Sequence, residues 1–275
     1  MSIRLHHPLT HRTLALAALL AAALLSGCQS SGSDDESILA PLLKQIDLVP
    51  MSPGQAARDA FNRYDADKRR NGVSMLSASP FGGQTPYVNM YRLRANDPDA
   101  TVRAAAIKAL GLHGNTQDMP IFLHYLDAVV EPVSFVRWES ALALQKIHSD
   151  DAVAPLIKAT QDLDADVRMA AATALGQYAQ ARVFQALIGV LDDADYGTVA
   201  AAHDSLVTLT GYDFGHDGSL WLIWAEKNQG KLFEHRQQYV WLPFQRPPRW
   251  YQRPMFWIDA PPPEPRVPVG MDGQG

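Results

Sequence analysis

From Pro86 to about Leu209 apolar positions recur at helical spacing, and the pattern itself recurs along the chain. Val102-Arg103-Ala104-Ala105-Ala106, followed by Leu110-Gly111, returns as Val167-Arg168-Met169-Ala170-Ala171, followed by Leu175-Gly176. Between them lies Val136-Arg137-Trp138-Glu139-Ser140 with Leu144, and after them Val199-Ala200-Ala201-Ala202 with Val207. The leading valines are 34, 31 and 32 residues apart. Positions three, four, seven and eight after each valine form one stripe of a helix, filled by Ala105, Ala106, Ala109 and Leu110 in the first unit. Small residues there let neighbouring helices approach closely. Amphipathic segments at Pro86 to Ala95, Asp118 to Ala128, Asp151 to Thr160 and Ala181 to Leu191 precede these helices, so each unit is predicted to be a helix pair. A unit of this length cannot bury its apolar face alone. The expectation is an all-α chain, a right-handed α-α solenoid of about four helix pairs.

The flanks read differently. Gly54 to Arg70 has helical spacing of Ala56, Ala57, Ala60, Phe61 and Tyr64, and Asn71 to Pro86, rich in Gly, Ser and Pro, reads as a loop. Asp97-Pro98 and Glu131-Pro132 offer an acidic cap before a proline suited to a first helical turn, as does Asp118 before Pro120. Gly111, Gly176 and Gly211 stand where helices are expected to stop. Ser219 to Asn228, with Trp221 and Trp224 on one face, is expected to cap the stack. Between Lys231 and Trp257 lie eight aromatic and five basic residues with one acidic residue, interleaved with prolines, and the following Pro-rich run is expected to be extended and irregular. Three uses of that tail are open: packing along the solenoid, docking a partner or cell-wall polymer, and contacting anionic lipid.

The acidic-x-x-x-x-Val-Arg-x-x-Ala pattern with a following Leu-Gly resembles HEAT repeats of the short type found in phycobilisome lyases. It covers about Pro86 to Gly211. The resemblance implies the HEAT-like fold and an inter-repeat role for Arg103, Arg137 and Arg168 beside acids such as Asp97 and Asp166, with anion binding as the alternative. Arginine suits that role because its planar fork holds two acceptors at once. The fourth unit departs, with Ala200 in the arginine position and His203 where the other units carry Ala106, Ser140 and Ala171.

Ahead of the repeats, Arg4 and Arg12 flank the apolar run Leu14 to Leu25, which is too short to span a bilayer and ends at Leu25-Ser26-Gly27-Cys28. This stretch resembles the lipobox of bacterial lipoproteins. That resemblance implies cleavage before Cys28, acylation of its thiol and new amino terminus, palmitate among the attached chains, and anchoring in a membrane. Gln29 in place of aspartate implies an outer-membrane position facing the periplasm. The expected organisation is a signal peptide at 1–27, a lipidated tether at 28–52, the solenoid at 53–230 and the tail at 231–275. Removing the leader takes away two basic and no acidic residues, so the net charge moves from −5 to −7. An acidic balance argues against nucleic-acid binding.

Chemistry is sparse. With its one cysteine lipidated, the mature chain has no thiol for a disulfide, metal site or nucleophile, and no phosphate loop, HExxH or GxSxG occurs. No catalytic residue, metal site or cofactor is expected, and a site on His203 and Asp204 is the weaker alternative. Candidates for partner binding are Trp138, Trp241, Trp250 and Trp257, since aromatic anchors serve interfaces; Trp138 either projects from the stack or fills a groove within it. The predicted role is a membrane-anchored scaffold for an unidentified protein partner, with possible cell-wall contact. The alternatives are a chromophore-lyase-like enzyme and a cell-wall polymer binder.

Overall fold

The computed structural model describes residues 52–243 and 263–271, so the leader, Cys28 and the tether lie outside the described residues, as do Trp250 and Trp257. Among the described residues are eleven α-helices. They are α1 (Pro53–Ala60), α2 (Ala66–Ser77), α3 (Thr85–Arg94), α4 (Ala100–His113), α5 (Met119–Leu126), α6 (Ser134–Leu144), α7 (Val153–Ala159), α8 (Ala165–Leu175), α9 (Ala181–Val190), α10 (Tyr196–Thr210) and α11 (Gly218–Lys227). Short 3-10 turns at Thr116–Asp118 and Asp150–Ala152 lead into α5 and α7.

Each odd-numbered helix from α1 to α9 packs on the even-numbered helix that follows it, and α2, α4, α6, α8 and α10 pack consecutively in one layer. In the other layer α5 meets α7, α7 meets α9 and α9 meets α11. This is an α-solenoid of five helix pairs. Its core lies between the layers, where Val102, Val136 and Val167 have no exposed surface, nor do Leu110, Leu144, Leu175 and Leu206. Burial of each leucine is worth about 1.5–3 kcal/mol, which supplies the cohesion that no single pair has.

For the first pair the sequence predicts one helix followed by a loop. The chain instead breaks after Ala60. Asn62 Oδ1 accepts the Tyr64 and Asp65 amides at 2.9 Å, and Asp65 caps α2 by accepting the Lys68 amide at 3.0 Å. The α2 helix then runs through Gly72, which sequence assigned to the loop. A Cβ at Gly72 would collide with the Ala56 carbonyl and the Ala60 amide, so glycine is there for close helix packing. Gly111 has a similar place within α4, against Ala143, and does not end that helix. Gly211 does terminate α10, in the left-handed conformation at φ 78°.

At the end of the stack, α11 inserts Trp221, fully buried, with its indole donating to the Gly215 carbonyl at 2.8 Å. Phe214 meets that ring edge-on at 5.0 Å. The described parts of the tail pack back across the repeats. Gln237 N–H donates to the Thr208 carbonyl at the end of α10 at 2.7 Å, and Tyr239 is buried. Trp241 and Arg266 exchange main-chain bonds of 2.8 and 2.9 Å as an antiparallel bridge. Val269 then pairs in parallel with Ile147, donating to Lys146 and accepting from His148, both at 2.8 Å. The described segments after α11 therefore form a strap that touches the end of α10 and the loop following α6. No helix among the described residues is long and apolar enough to cross a membrane.

Candidate interaction site

Two sets of charged residues stand out: one repeats in every junction, the other occurs once. In the repeating set an arginine near the start of α2, α4, α6 and α8 forks onto an acid in the turn of the next pair. Arg69 reaches Asp97 with two bonds of 2.8 Å, and Arg103 reaches Glu131 at 2.7 and 2.9 Å. Arg137 reaches Asp162 with two bonds of 2.8 Å, and Arg168 reaches Asp193 at 2.7 and 2.9 Å. Each acid also accepts the amide two residues on: Asp99, Val133, Asp164 and Asp195 donate at 2.8–3.0 Å. The third guanidinium nitrogen returns to the arginine's own turn, from Arg103 to the Asp97 carbonyl, Arg137 to Glu131 and Arg168 to Asp162. The Asp97, Glu131 and Asp162 turns are thus held from both sides, and the Asp193 turn from one side by the Arg168 fork.

This ladder places Arg103, Arg137, Arg168 and Asp97 together across the repeats. Asp166 is not part of it; it is exposed in the first turn of α8, and its amide donates to the Asp164 cap. Asp97 and Glu131 are not helix caps either. Asp99 caps α4, while Val133 precedes α6 without a side-chain bond. The acceptors missed in sequence are Asp162 and Asp193, and the missed donor is Arg69, although Arg69 stands 34 residues before Arg103, the same spacing as Arg103 to Arg137. The ladder ends where Ala200 replaces arginine.

Ionisation follows the pairing. Burial opposes the charge on Asp97, but hydrogen bonds from Arg69, the Asp99 amide and Arg94 prevail and hold its carboxyl below the usual range. The Arg168 bonds hold Asp193 low.

The single set lies on α6. Glu139 occupies the stripe position at which the other units carry Ala105, Ala170 and Ala202, yet it is only 8 % exposed. Its Oε1 lies 3.5 Å from the Lys108 ammonium of α4, whereas its Oε2 is buried with no hydrogen-bond partner. Desolvation pushes the Glu139 carboxyl up. Burial likewise pushes the Lys146 ammonium down, with Glu139 opposing that shift. Lys146 sits 5.5 Å from the centre of the Trp241 ring and Arg266 lies 5.8 Å from it on the strap side, a pair of cation–π contacts. The Trp241 indole N–H is buried and unpartnered. Trp138, next to Glu139 in sequence, does not project; it is half-buried against the core, and its N–H is also unpartnered. The structure thus brings Trp241 to the middle repeat and leaves Trp138 inside the helical packing.

His203 bonds to Asp213 at 2.8 Å and lies 3.3 Å from Asp204, in contact with the His216 ring at 4.9 Å. Among the described residues no group of three or more His, Cys, Asp or Glu could hold a metal ion. The His203 cluster fastens the turn after α10.

A family model described as HEAT repeats matches residues 131–206. No curated protein matches the chain. Among solved structures, the X-ray structure of YibA from Escherichia coli is 18 % identical, with 82 % of this chain and 83 % of that chain covered and a TM-score of 0.49. The stretch from Glu131, which accepts Arg103, through Leu206 on α10 is therefore similar to HEAT repeats.

Proposed function

We propose that the chain is an envelope lipoprotein, held through lipid on Cys28 in the outer membrane facing the periplasm, whose solenoid acts as a scaffold for another protein. The observation that carries the scaffold reading is the contrast between the two charged sets. The forked ladder recurs at every junction, while the middle unit replaces a packing alanine with Glu139, whose buried Oε2 is unpaired beside the unpaired indole N–H groups of Trp138 and Trp241; Tyr91 Oη and Arg94 Nε are the other unpaired buried atoms among the described residues. Unpaired buried polar groups cost stability, so a site that retains them points to binding rather than packing. Repeat stacks suit such work because neighbouring units hold an extended face in place. Catalysis has no part in this reading.

Anchoring is tested separately. Cys28→Ser is expected to leave the far-ultraviolet circular dichroism strongly helical while releasing the protein from the membrane pellet or blocking its processing, because the acyl acceptor is lost. A variant that is processed normally and still sediments with membranes would remove the lipoprotein assignment. Crosslinking in cells, with capture compared between the wild type and Glu139→Ala, tests the scaffold role; identical capture would remove the middle repeat from it.

A further inference from the structure

Gly72 and Gly111 are glycines because another helix lies against them, but Gly189 has no such neighbour. It is exposed in the last turn of α9, and a Cβ there would meet nothing within 4 Å. Glycine inside a helix costs stability relative to alanine, so its place needs a reason outside helix packing. The bare backbone at Gly189 lines a surface groove of about 480 Å³ between α7 and α9. Ile157 and Gln161 bound it on the α7 side and Gln185 on the α9 side, with the Arg168–Asp193 pair and Asp192 completing the lining. Gln161, Gln185, Gly189 and Asp192 are all exposed, so the groove is reached directly from solvent. Among the described residues the side chains of Asp192, Gln161 and Gln185 have no hydrogen bond or ion pair. The Arg168 charge is neutralised by Asp193, and Lys158, the cation of α7, is held by Asp127 at 3.0 Å. Asp192 is therefore the uncompensated charge of the groove, and it follows the C-terminus of α9, where the helix dipole also favours a cation.

We propose that this groove seats an extended, lysine-bearing segment of the partner protein. The lysine stem lies along Ile157 and the open backbone at Gly189, and its ammonium donates to the Asp192 carboxylate. Each glutamine amide carries both a donor and an acceptor, the pair that a peptide backbone presents, so Gln161 and Gln185 hold the main chain of the segment from the two walls. This rests on the scaffold reading and names the chemistry of its partner. The uncompensated carboxylate selects an ammonium over a carboxylate. The two free amides and the length of the groove favour a peptide over a free amine, which would use Asp192 alone. Leu163, fully exposed in the turn whose carbonyl accepts Arg168 at 3.3 Å, supplies an apolar contact beside the groove.

The test uses the full-length protein and a blocked, fluorescein-labelled peptide of alternating lysine and alanine, read by anisotropy, with glutamine–alanine and glutamate–alanine peptides as controls. Wild type is expected to bind the lysine peptide and neither control. Asp192→Asn should weaken binding by about tenfold or more, the scale of a charged hydrogen bond. Asp151→Asn makes the same charge change on an exposed residue ahead of α7, at the other end of that helix, and should leave binding unchanged. Gly189→Met fills the groove from within and should also weaken binding by about tenfold or more, yet raise the melting temperature by about 2–4 °C, because methionine is the better helix former and its Cβ meets open space. Failure of wild type to bind the lysine peptide, equal binding of the glutamine peptide, or equal losses in Asp192→Asn and Asp151→Asn would each overturn the proposal. So would wild-type affinity in Gly189→Met, or displacement of the peptide by n-butylamine at the peptide's own concentration, which would assign the groove to a free amine. A lower melting temperature in Gly189→Met would overturn the reading of Gly189 as an open floor. Binding is read without the lipid and away from Glu139, so it fails independently of the Cys28 and crosslinking tests.

Discussion

Replacing Arg137 with alanine is expected to destabilise the solenoid by about 3–5 kcal/mol, the cost of removing one member of a buried ion pair. Arg137 is the ladder member best shielded from water, its side chain 7 % exposed and that of Asp162 3 % exposed. The substitution strands the Asp162 carboxylate and leaves the Glu131 carbonyl without its donor. Arg168→Ala should cost less, about 1–3 kcal/mol, because the Arg168 and Asp193 side chains are 16 % and 15 % exposed and water can replace part of the lost bonding. Urea midpoints at constant m-value give both numbers. An Arg137→Ala variant as stable as wild type would reduce the ladder to a surface decoration. A loss larger in Arg168→Ala than in Arg137→Ala would show that burial does not set its strength.

The same ladder gives the pH dependence a sign. Asp97 and Asp193 have folded-state pKa values below the ordinary carboxylate range, so in the acid window the unfolded chain binds more protons than the folded one. Their contribution is fully present above the unfolded carboxylate pKa, about 3.9. It is lost as pH falls through the lower folded values. Stability measured down to pH 2 should therefore fall, and the fall should be shallower in Arg168→Ala, in which Asp193 loses its main partner.

What the sequence disclosed follows from which contacts are local. The valine and alanine stripes are periodic over a few residues, and the four pairs from α3 to α10 were legible from them. The α1–α2 pair was not, because Gly72 and the following Gly/Ser-rich stretch look like a loop when read locally. Gly72 faces Ala56 and Ala60 across a helix packing that only the folded pair creates. The arginine positions were visible through their period, but their acceptors were not, since Arg137 finds Asp162 and Arg168 finds Asp193 each 25 residues downstream. Glu139 was in plain view at an alanine position, and its meaning depends on Lys146 and Trp241, the latter delivered by the strap.

The strap itself supports the second large effect. Truncation after Asn228 should lower stability by about 2–4 kcal/mol, once the entropy of ordering the segment is set against Tyr239 burial and the main-chain bonds to Thr208, Lys146 and His148. In a domain of this size that corresponds to a melting temperature lower by about 4–16 °C. Aromatic and proline content announced an irregular tail, but the path is fixed by backbone groups such as Gln237 N–H and Val269 N–H, which no side-chain pattern encodes. Truncation also uncovers Lys146, whose ammonium now lies against the Trp241 ring, and lifts a source of burial that keeps its pKa low. The Lys146 amine should accordingly titrate higher in the truncated protein, measurable by the pH dependence of its reaction with an acylating reagent followed by peptide mapping. A truncated protein with an unchanged melting temperature would remove the strap from the folded unit. An unchanged Lys146 titration would show that Trp241 does not cover the site.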